Sequence, residues 1–330
     1  MLPLFLFLAS ALATWAAVST YCGSCAGLGC YKVTIYSICG FMIAGSTEVL
    51  ARSKSRLLAQ VSERLRNGSI ELPSLPDVAI EVRVAVANPD LEINDLVRLI
   101  QQDPGLSAYL MKVSLSAVYS RGNKITGLQS AINRLGLNLA RDLTMSYALK
   151  TLFSINDPAI KREMRECWQR SVHTAALSYV LAKHCGFDPE RAMLAGLLQD
   201  IGALPLLSNL KAFPELLNSA TGLKQLIHEF TGKIGSLVLH KWAFDSDLIA
   251  TTLYRENWLH DSQSSKTLVD LVLIARFHTY LNTSQHRHLP KLHDLPAFHK
   301  LGLGSTAPSV GVEFLLQARR EVDELRSLFQ

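Results

Sequence analysis

The stretch Leu194-Ala195-Gly196-Leu197-Leu198-Gln199-Asp200-Ile201-Gly202 decides the fold of this chain. Its first five residues are apolar or glycine, and an amide and a carboxylate follow them directly. A carboxylate in so apolar a segment is costly to bury unless it finds a partner. The fold must therefore provide apolar neighbours for this segment and a partner for Asp200.

The composition indicates a folded, mostly apolar protein. The chain has 330 residues, of which 48% are hydrophobic and 18% charged, enough for one large domain or two medium ones. The net charge of +5 is spread without a basic run, so nucleic-acid binding receives little support. Beyond residue 40 the cysteines are Cys167 and Cys185 alone, which predicts a cytoplasmic body without a disulfide framework.

Residues 1–45 form a separate leader. Its segment Met1–Val18 is apolar, and the first charge is Lys32, so the positive start of a signal peptide is missing. We favour a structureless leader, or an upstream start codon with the natural chain beginning at Met42. A membrane anchor in residues 1–20 is the second interpretation. A metal site in the cysteine-rich piece is the third, and its spacing is not that of a zinc ribbon.

The body, residues 46–330, has helical periodicity almost throughout and no long apolar alternation typical of a strand. Asp103-Pro104 predicts a capped helix start, and Gly136 a corner. Trp168, Val172 and Tyr179 share one helix face. We further predict two short helices, Leu223–Phe230 and Ile234–Trp242. The fold class is therefore all-α.

Several ordered segments resemble one family, the HDOD domains (HD-related output domains). These segments are Leu72–Pro76, Leu99–Leu106, Ala131–Gly136, Trp168–Ser171, Gly196–Gly202 and Gly235–Trp242. The family's Asn-Ser is reduced here to Ser116. The resemblance implies two packed helical lobes, residues 46–155 and an HD-like lobe 156–330. It also implies a bacterial signal-transduction module whose partners are other signalling proteins.

The same resemblance identifies a degenerate HD site. HD hydrolases use a divalent metal, held by His and carboxylate ligands, to ionise the attacking water. The matching positions here hold Arg170, Gln199, Thr231 and Arg255-Glu256-Asn257, so only Asp200 remains. A guanidinium cannot ligate a cation. We therefore predict no catalytic residues, no metal and no cofactor.

The substitution suggests a replacement for the metal. We expect Arg170 to occupy its space and to pair with Asp200, because a guanidinium offers two matched donors to a buried carboxylate.

Other polar residues receive a structural interpretation. His173 is expected to be a surface or satisfied histidine, and His228-Glu229 to lack companions for acid–base work. The loop histidines are expected to be solvated, and the two body cysteines to belong to the core. The loop histidines are His286, His288, His293 and His299.

Three functions are left open. The leading one is a non-catalytic module that binds partner proteins, with the groove between its lobes as the contact surface. The second is a divergent metal-dependent HD phosphohydrolase. The third is a nucleotide-sensing regulator in which Arg170 and Arg255 meet phosphates.

Overall fold

A computed structural model describes residues 48–64, 66–67, 69, 76–119, 125–154, 157–263, 265–281, 283, 289–303 and 319–329. It divides into two compact units, Met1–Arg52 and Ser53–Gln330. The predicted leader 1–45, His286 and His288 lie outside the described residues. Of the first unit, residues 48–52 are described, and they are helical.

The second unit begins with six helices. They are α1 (53–64), α2 (Asp77–Val86), α3 (Ile93–Gln101), α4 (Pro104–Ser114), α5 (Leu128–Leu135) and α6 (Leu137–Phe153). Asp103 caps α4 as predicted, because its side chain accepts a hydrogen bond from the Leu106 amide at 2.9 Å. Gly136 makes the corner between α5 and α6 with a φ of +80°.

The helices that surround the quoted segment follow. They are α7 (Lys161–Cys185), α8 (Pro189–Leu197), α9 (Ala203–Ser208), α10 (Pro214–Leu217), α11 (Ala220–Lys241), α12 (Ser246–Leu253), α13 (Leu268–Tyr280), α14 (Pro296–Lys300) and α15 (319–328). A 3-10 turn, Leu198–Asp200, directly continues α8. The described part contains no strand, so the predicted all-α class is confirmed. The lobe boundary at 155/156 stays a prediction.

Helix α7 is the centre of this second group. It packs along α8 on one side and α13 on another, and α6 contacts both α7 and α8. Gly196 lets α8 lie against α7, since a Cβ there would fall 2.5 Å from the Ala175 Cα atom. The buried face of α7 therefore faces the segment that contains Asp200.

One helix differs from the prediction. Helix α11 runs unbroken through Ala220–Lys241, where two short helices were expected. Its glycines provide contact rather than a break: a Cβ at Gly232 would lie 2.9 Å from the Thr252 carbonyl oxygen, and one at Gly235 would lie 2.7 Å from the Thr252 Cγ2 atom. Helix α12 can therefore pack directly on α11.

Across the part of the chain that is described, no helix combines the length and the apolar character needed to cross a bilayer. The anchor considered for residues 1–20 lies outside that part, and the cytoplasmic location stays a prediction.

Candidate functional site: a buried charge network in an HD-like core

Asp200 lies at the centre of the second group of helices and is 0% exposed. The 3-10 turn that ends α8 carries it, and Gly202 holds the following backbone close to the Thr231 carbonyl and to Gly235. Larger residues at Gly196 or Gly202 would push this turn away from its neighbours. The small residues of the quoted segment therefore determine where the carboxylate sits.

Two arginines from beyond the segment bind Asp200. Arg276 on α13 approaches the Asp200 Oδ1 atom with Nη2 at 3.0 Å and Oδ2 with Nη1 at 3.4 Å. Arg255, after α12, places Nη2 3.3 Å from Oδ1. Both guanidinium groups are almost fully buried, with 0% and 3% of their side chains exposed. Asp200 is thus held by a near-bidentate pair and a second cation.

The predicted ion pair between Arg170 and Asp200 is wrong, because Asp200 pairs with Arg276 and Arg255 instead. The Arg170 guanidinium donates instead to the Tyr280 hydroxyl at 3.4 Å and lies over the Tyr280 ring, 5.6 Å from its centroid. Arg170 still acts on Asp200 electrostatically. The direct position goes to Arg276, because α13 packs on α7 and brings its side chain down onto the carboxylate.

Glu256 is a second carboxylate in the network. Its Oε1 atom accepts from Arg255 Nη1 at 2.8 Å, from Arg276 Nη2 at 2.6 Å and from the Tyr280 hydroxyl at 2.7 Å. Its Oε2 atom bonds the His228 ring. With 7% of its side chain exposed, Glu256 shares Arg276 with Asp200. These six residues form one connected network rather than separate pairs.

The arginines keep both carboxylates ionised. Burial alone would raise the pKa of Asp200, but Arg276, then Arg255 and Arg170, outweigh it and lower that pKa below its usual value. The pKa of Glu256 falls well below its usual value for the same reason, since burial is outweighed by Arg255 and Arg276. The pKa of Arg276 rises despite its burial, because Asp200 faces it. Each charge is stabilised by the others.

Gln199 is engaged with the backbone. Its Nε2 atom donates to the Thr251 carbonyl at 3.0 Å and to the Ala195 carbonyl at 3.3 Å. These two acceptors fix the orientation of the amide, because a flipped amide would face oxygen with oxygen. Its Oε1 atom is buried and finds no hydrogen-bond partner among the described residues. Gln199 therefore ties α8 to α12.

Thr231 is fully buried on α11, and its hydroxyl has no hydrogen-bond partner in the described part. Its backbone carbonyl faces Gly202 closely, so it acts as a packing residue between α11 and the Asp200 turn. Of the five residues predicted for the degenerate site, Asp200 and Arg255 are in direct contact. Arg170 lies beside them, and Gln199 and Thr231 pack around them.

This donor set does not fit a divalent metal. Three guanidinium groups surround two carboxylates, and cations repel an incoming cation. Nowhere in the described ranges do three His, Cys, Asp or Glu side chains gather as a metal site would require. The neighbours of Asp200 supply the positive charge that a metal would otherwise bring.

The remaining polar residues are distributed as follows. His228 pairs with Glu256, while Glu229 bonds Lys54 at 2.9 Å, so the companion of His228 comes from a distant turn. His173 is half-buried on α7, and burial lowers its pKa to about 4. Cys167 and Cys185 are buried free thiols, and burial raises the pKa of Cys167 to about 12. The exposed His299 ring contacts the His293 carbonyl.

A cavity of about 750 Å³ opens beside the network. Its walls come from α7, α11, the turn after α12 and the end of α13. Arg170, Arg255, Glu256 and Tyr280 line it together with Trp258. The site therefore has a charged floor and room for a small molecule.

The sequence interpretation missed Arg276 and undervalued Glu256. Arg276 belongs to α13, LVDLVLIARFHTY, where a single arginine stands among apolar residues. A charge in the middle of so apolar a helix was the available signal, since such a residue is buried only with a partner. No local pattern shows that this partner lies 76 positions earlier in the chain.

Comparisons with known proteins agree with this architecture. An uncharacterised protein of Treponema pallidum (strain Nichols) is 26% identical over 238 residues, which cover 67% of this chain and 44% of that protein. The chain thus spans less than half the length of that relative. A provisionally named metal-dependent phosphohydrolase from Shewanella amazonensis SB2B has a crystal structure that matches with a TM-score of 0.70. It is 25% identical, and the match covers 84% of this chain and all of that one (100%).

A second similar structure shows the fold alone. It comes from a provisionally named signal transduction protein of Marinobacter aquaeolei VT8, with a TM-score of 0.53 and 18% identity over 84% of this chain and 66% of that one. The sequence profile of the HDOD domain matches residues 72–258, more than half of the chain. These residues include Asp200, Arg255 and Glu256, and they confirm the resemblance noted in the sequence: the chain belongs to the HDOD domain family.

Proposed function

We propose that this chain is a non-catalytic module of bacterial signal transduction that acts through contacts with other proteins. One observation carries the proposal. Asp200 and Arg255, two positions that the family resemblance assigns to the HD metal site, are joined here with Glu256 and Arg276 in one buried network of ion pairs. The network satisfies the carboxylate charges internally, so the core needs no cation for its stability.

Hydrolysis by the metal route needs a water ionised by a bound cation. Arg276 and Arg255 occupy the Asp200 oxygens that would face such an ion. Displacing them would leave guanidinium groups buried without partners, which is unfavourable by several kcal/mol for a buried ion (about 3–5). Family membership and the name of the Marinobacter protein support signalling as the role of this scaffold.

A groove of about 540 Å³ offers a contact surface. It is lined by residues of both predicted lobes: 117–119 from the first, and Tyr179, Lys183 and Glu190 from the second. Leu115 follows α4, two residues before the first residue that lines the groove, and it is 58% exposed. We propose that a partner protein covers this side.

The enzymatic half of the proposal is tested by hydrolysis. The purified full chain is incubated with bis(p-nitrophenyl) phosphate and with nucleoside phosphates in the presence of Mn²⁺, Mg²⁺ or Fe²⁺. We expect no turnover above that of Asp200→Asn. A metal-dependent rate that disappears in Asp200→Asn would replace the proposal by a divergent phosphohydrolase.

The proposed binding of partner proteins is tested by quantitative co-purification from the native cell, followed by mass spectrometry. Leu115→Glu perturbs the groove side, and Val84→Glu, on a residue 65% exposed on α2, is the matched control. We expect one or more partners to be lost with Leu115→Glu and retained with Val84→Glu. Identical partner profiles for the wild type and both variants would argue against this surface.

A further inference from the structure

The cavity beside the charge network has the size of a small-molecule site. Its volume of about 750 Å³ lies inside the range of about 300–1,000 Å³ typical of ligand pockets. The cavity is bounded by α7 and α11 on its sides and by Arg255 and Glu256 at its floor. A cavity of this volume has room for a ligand of nucleotide size.

The floor of the cavity has an excess of positive charge. The coupled groups are the carboxylates Asp200 and Glu256 and the guanidinium groups Arg170, Arg255 and Arg276. One positive charge is therefore left without a carboxylate in this group. Among the other lining residues, Arg162 is bound to Glu163 at 2.6 Å, and Glu166 and Lys224 add one charge of each sign, so they do not change the net positive charge.

Arg170 has side-chain N–H groups without a hydrogen-bond partner among the described residues. The hydrogen bond of its side chain goes to the Tyr280 hydroxyl at 3.4 Å, which engages one of its five N–H groups. Arg255, 3% exposed, has an Nε atom and an Nη2 atom without a well-directed hydrogen bond in the described part, although Nη2 lies 3.3 Å from Asp200. Both arginines line the cavity. Arg170 is partly exposed, whereas the unpartnered Arg255 atoms are buried, and buried donors normally have an acceptor.

Aromatic and apolar side chains form another part of the cavity lining. Trp258 packs edge-to-face on Tyr280, with ring centroids 5.9 Å apart, and Leu223 and Ile227 line the same space. A ligand suited to both walls combines an anionic group with a flat, largely apolar one. Phosphate matches the guanidinium fork, and a base matches the aromatic wall.

We infer that this cavity binds a nucleoside monophosphate, with the phosphate on Arg170 and Arg255 and the base beside Trp258. That the ligand is regulatory rather than a substrate rests on the proposed non-catalytic function. The inference goes beyond contact signalling by giving the module a small-molecule input. Binding would add an acceptor for the unused N–H groups.

Isothermal titration calorimetry of the full chain tests this inference. The probes are AMP, GMP, CMP and UMP, the matching nucleosides, and inorganic phosphate. We expect at least one nucleotide to bind more tightly than both its nucleoside and phosphate, with an affinity that falls as NaCl is raised. Failure of all four nucleotides to bind at millimolar concentration would overturn the inference, as would equal binding of nucleotide and nucleoside.

The variant that tests the position is Arg170→Gln. Loss of charge-assisted hydrogen bonds to phosphate should weaken binding by about 10- to 100-fold. Arg165→Gln, an exposed arginine on the same helix that does not line the cavity, is the matched control and should bind as the wild type does. Equal affinities for wild type and Arg170→Gln would place the ligand elsewhere. If Arg170→Gln does not fold, Arg170→Lys keeps the charge and should still weaken binding by a smaller factor.

Phosphorus NMR of the bound nucleotide with Mn²⁺ separates this inference from the proposed function. An intact nucleotide agrees with both. Metal-dependent hydrolysis would overturn the non-catalytic function while leaving the binding site in place.

Discussion

Replacing Arg276 by Met should destabilise this protein more than the loss of any surface charge. Arg276 is 0% exposed and contacts both carboxylates, at 3.0 Å from Asp200 and 2.6 Å from Glu256. Methionine fills a similar volume but leaves these anions short of a cation. Removing one partner of a buried ion pair costs about 3–5 kcal/mol. At about 2–4 °C per kcal/mol, the melting temperature should fall by about 6–20 °C.

The assay is urea unfolding followed by circular dichroism, with the melting temperature as a second measure. Arg162→Met is the matched control, since this arginine has 74% of its side chain exposed and should unfold as the wild type does. The double variant Asp200→Asn/Arg276→Met removes a charge of each sign. It should be less destabilised than the sum of the single variants by about 1–3 kcal/mol.

Two results would refute the reasoning. An Arg276→Met protein as stable as the wild type would mean that the contacts with Asp200 and Glu256 contribute nothing. Strictly additive single and double variants would mean that the charges are not coupled, and that the network is a set of independent neighbours.

Three further predictions concern packing and pH. Gly196→Ala should destabilise the fold by about 1–3 kcal/mol or more, because the new Cβ atom would lie 2.5 Å from the α7 backbone. Gly127→Ala is the control, since a Cβ atom there has no neighbour within 4 Å. Urea unfolding of the two variants measures the difference. The hydrogen bond to Glu256 raises the pKa of His228. This pair therefore adds stability at pH values below 6.5, and that stability is lost as the pH rises through the raised pKa. The same pH profile of the melting temperature in wild type and His228→Gln would contradict this. Burial lowers the pKa of His173 to about 4, so the opposite trend holds there. Stability is lost as the pH falls from about 6.5 to 4, and His173→Gln should remove that loss in a comparison of melting temperatures.

The elements that the sequence predicts well are those whose cause is local. The Asp103-Pro104 cap and the Gly136 corner each depend on one or two residues and their own backbone, so their chemistry can be recognised without neighbours. The run of α11 is different. Gly232 lies at the break that the sequence predicts between two helices, yet in the fold Gly232 and Gly235 let α12 approach, which only the tertiary packing reveals.

The sequence predicted some members of the site, but not Arg276 and not the connections between the members. Family positions pointed to Asp200, Arg170 and Arg255, and all three lie in or beside the network. The choice between Arg170 and Arg276 as the partner of Asp200 depends on how α13 sits against α7, a property of the folded chain. Pairing rules indicate that a buried carboxylate needs a cation, and they do not say which one.

The metal content of the purified full chain tests the central claim most directly. The protein is purified without chelators, incubated with Mn²⁺, Fe²⁺ or Mg²⁺, desalted and analysed by plasma mass spectrometry beside Asp200→Asn. The account predicts far less than one metal ion per chain, and no difference between the two proteins, because Arg276 and Arg255 already neutralise Asp200. One tightly held ion per chain that is lost in Asp200→Asn would contradict it.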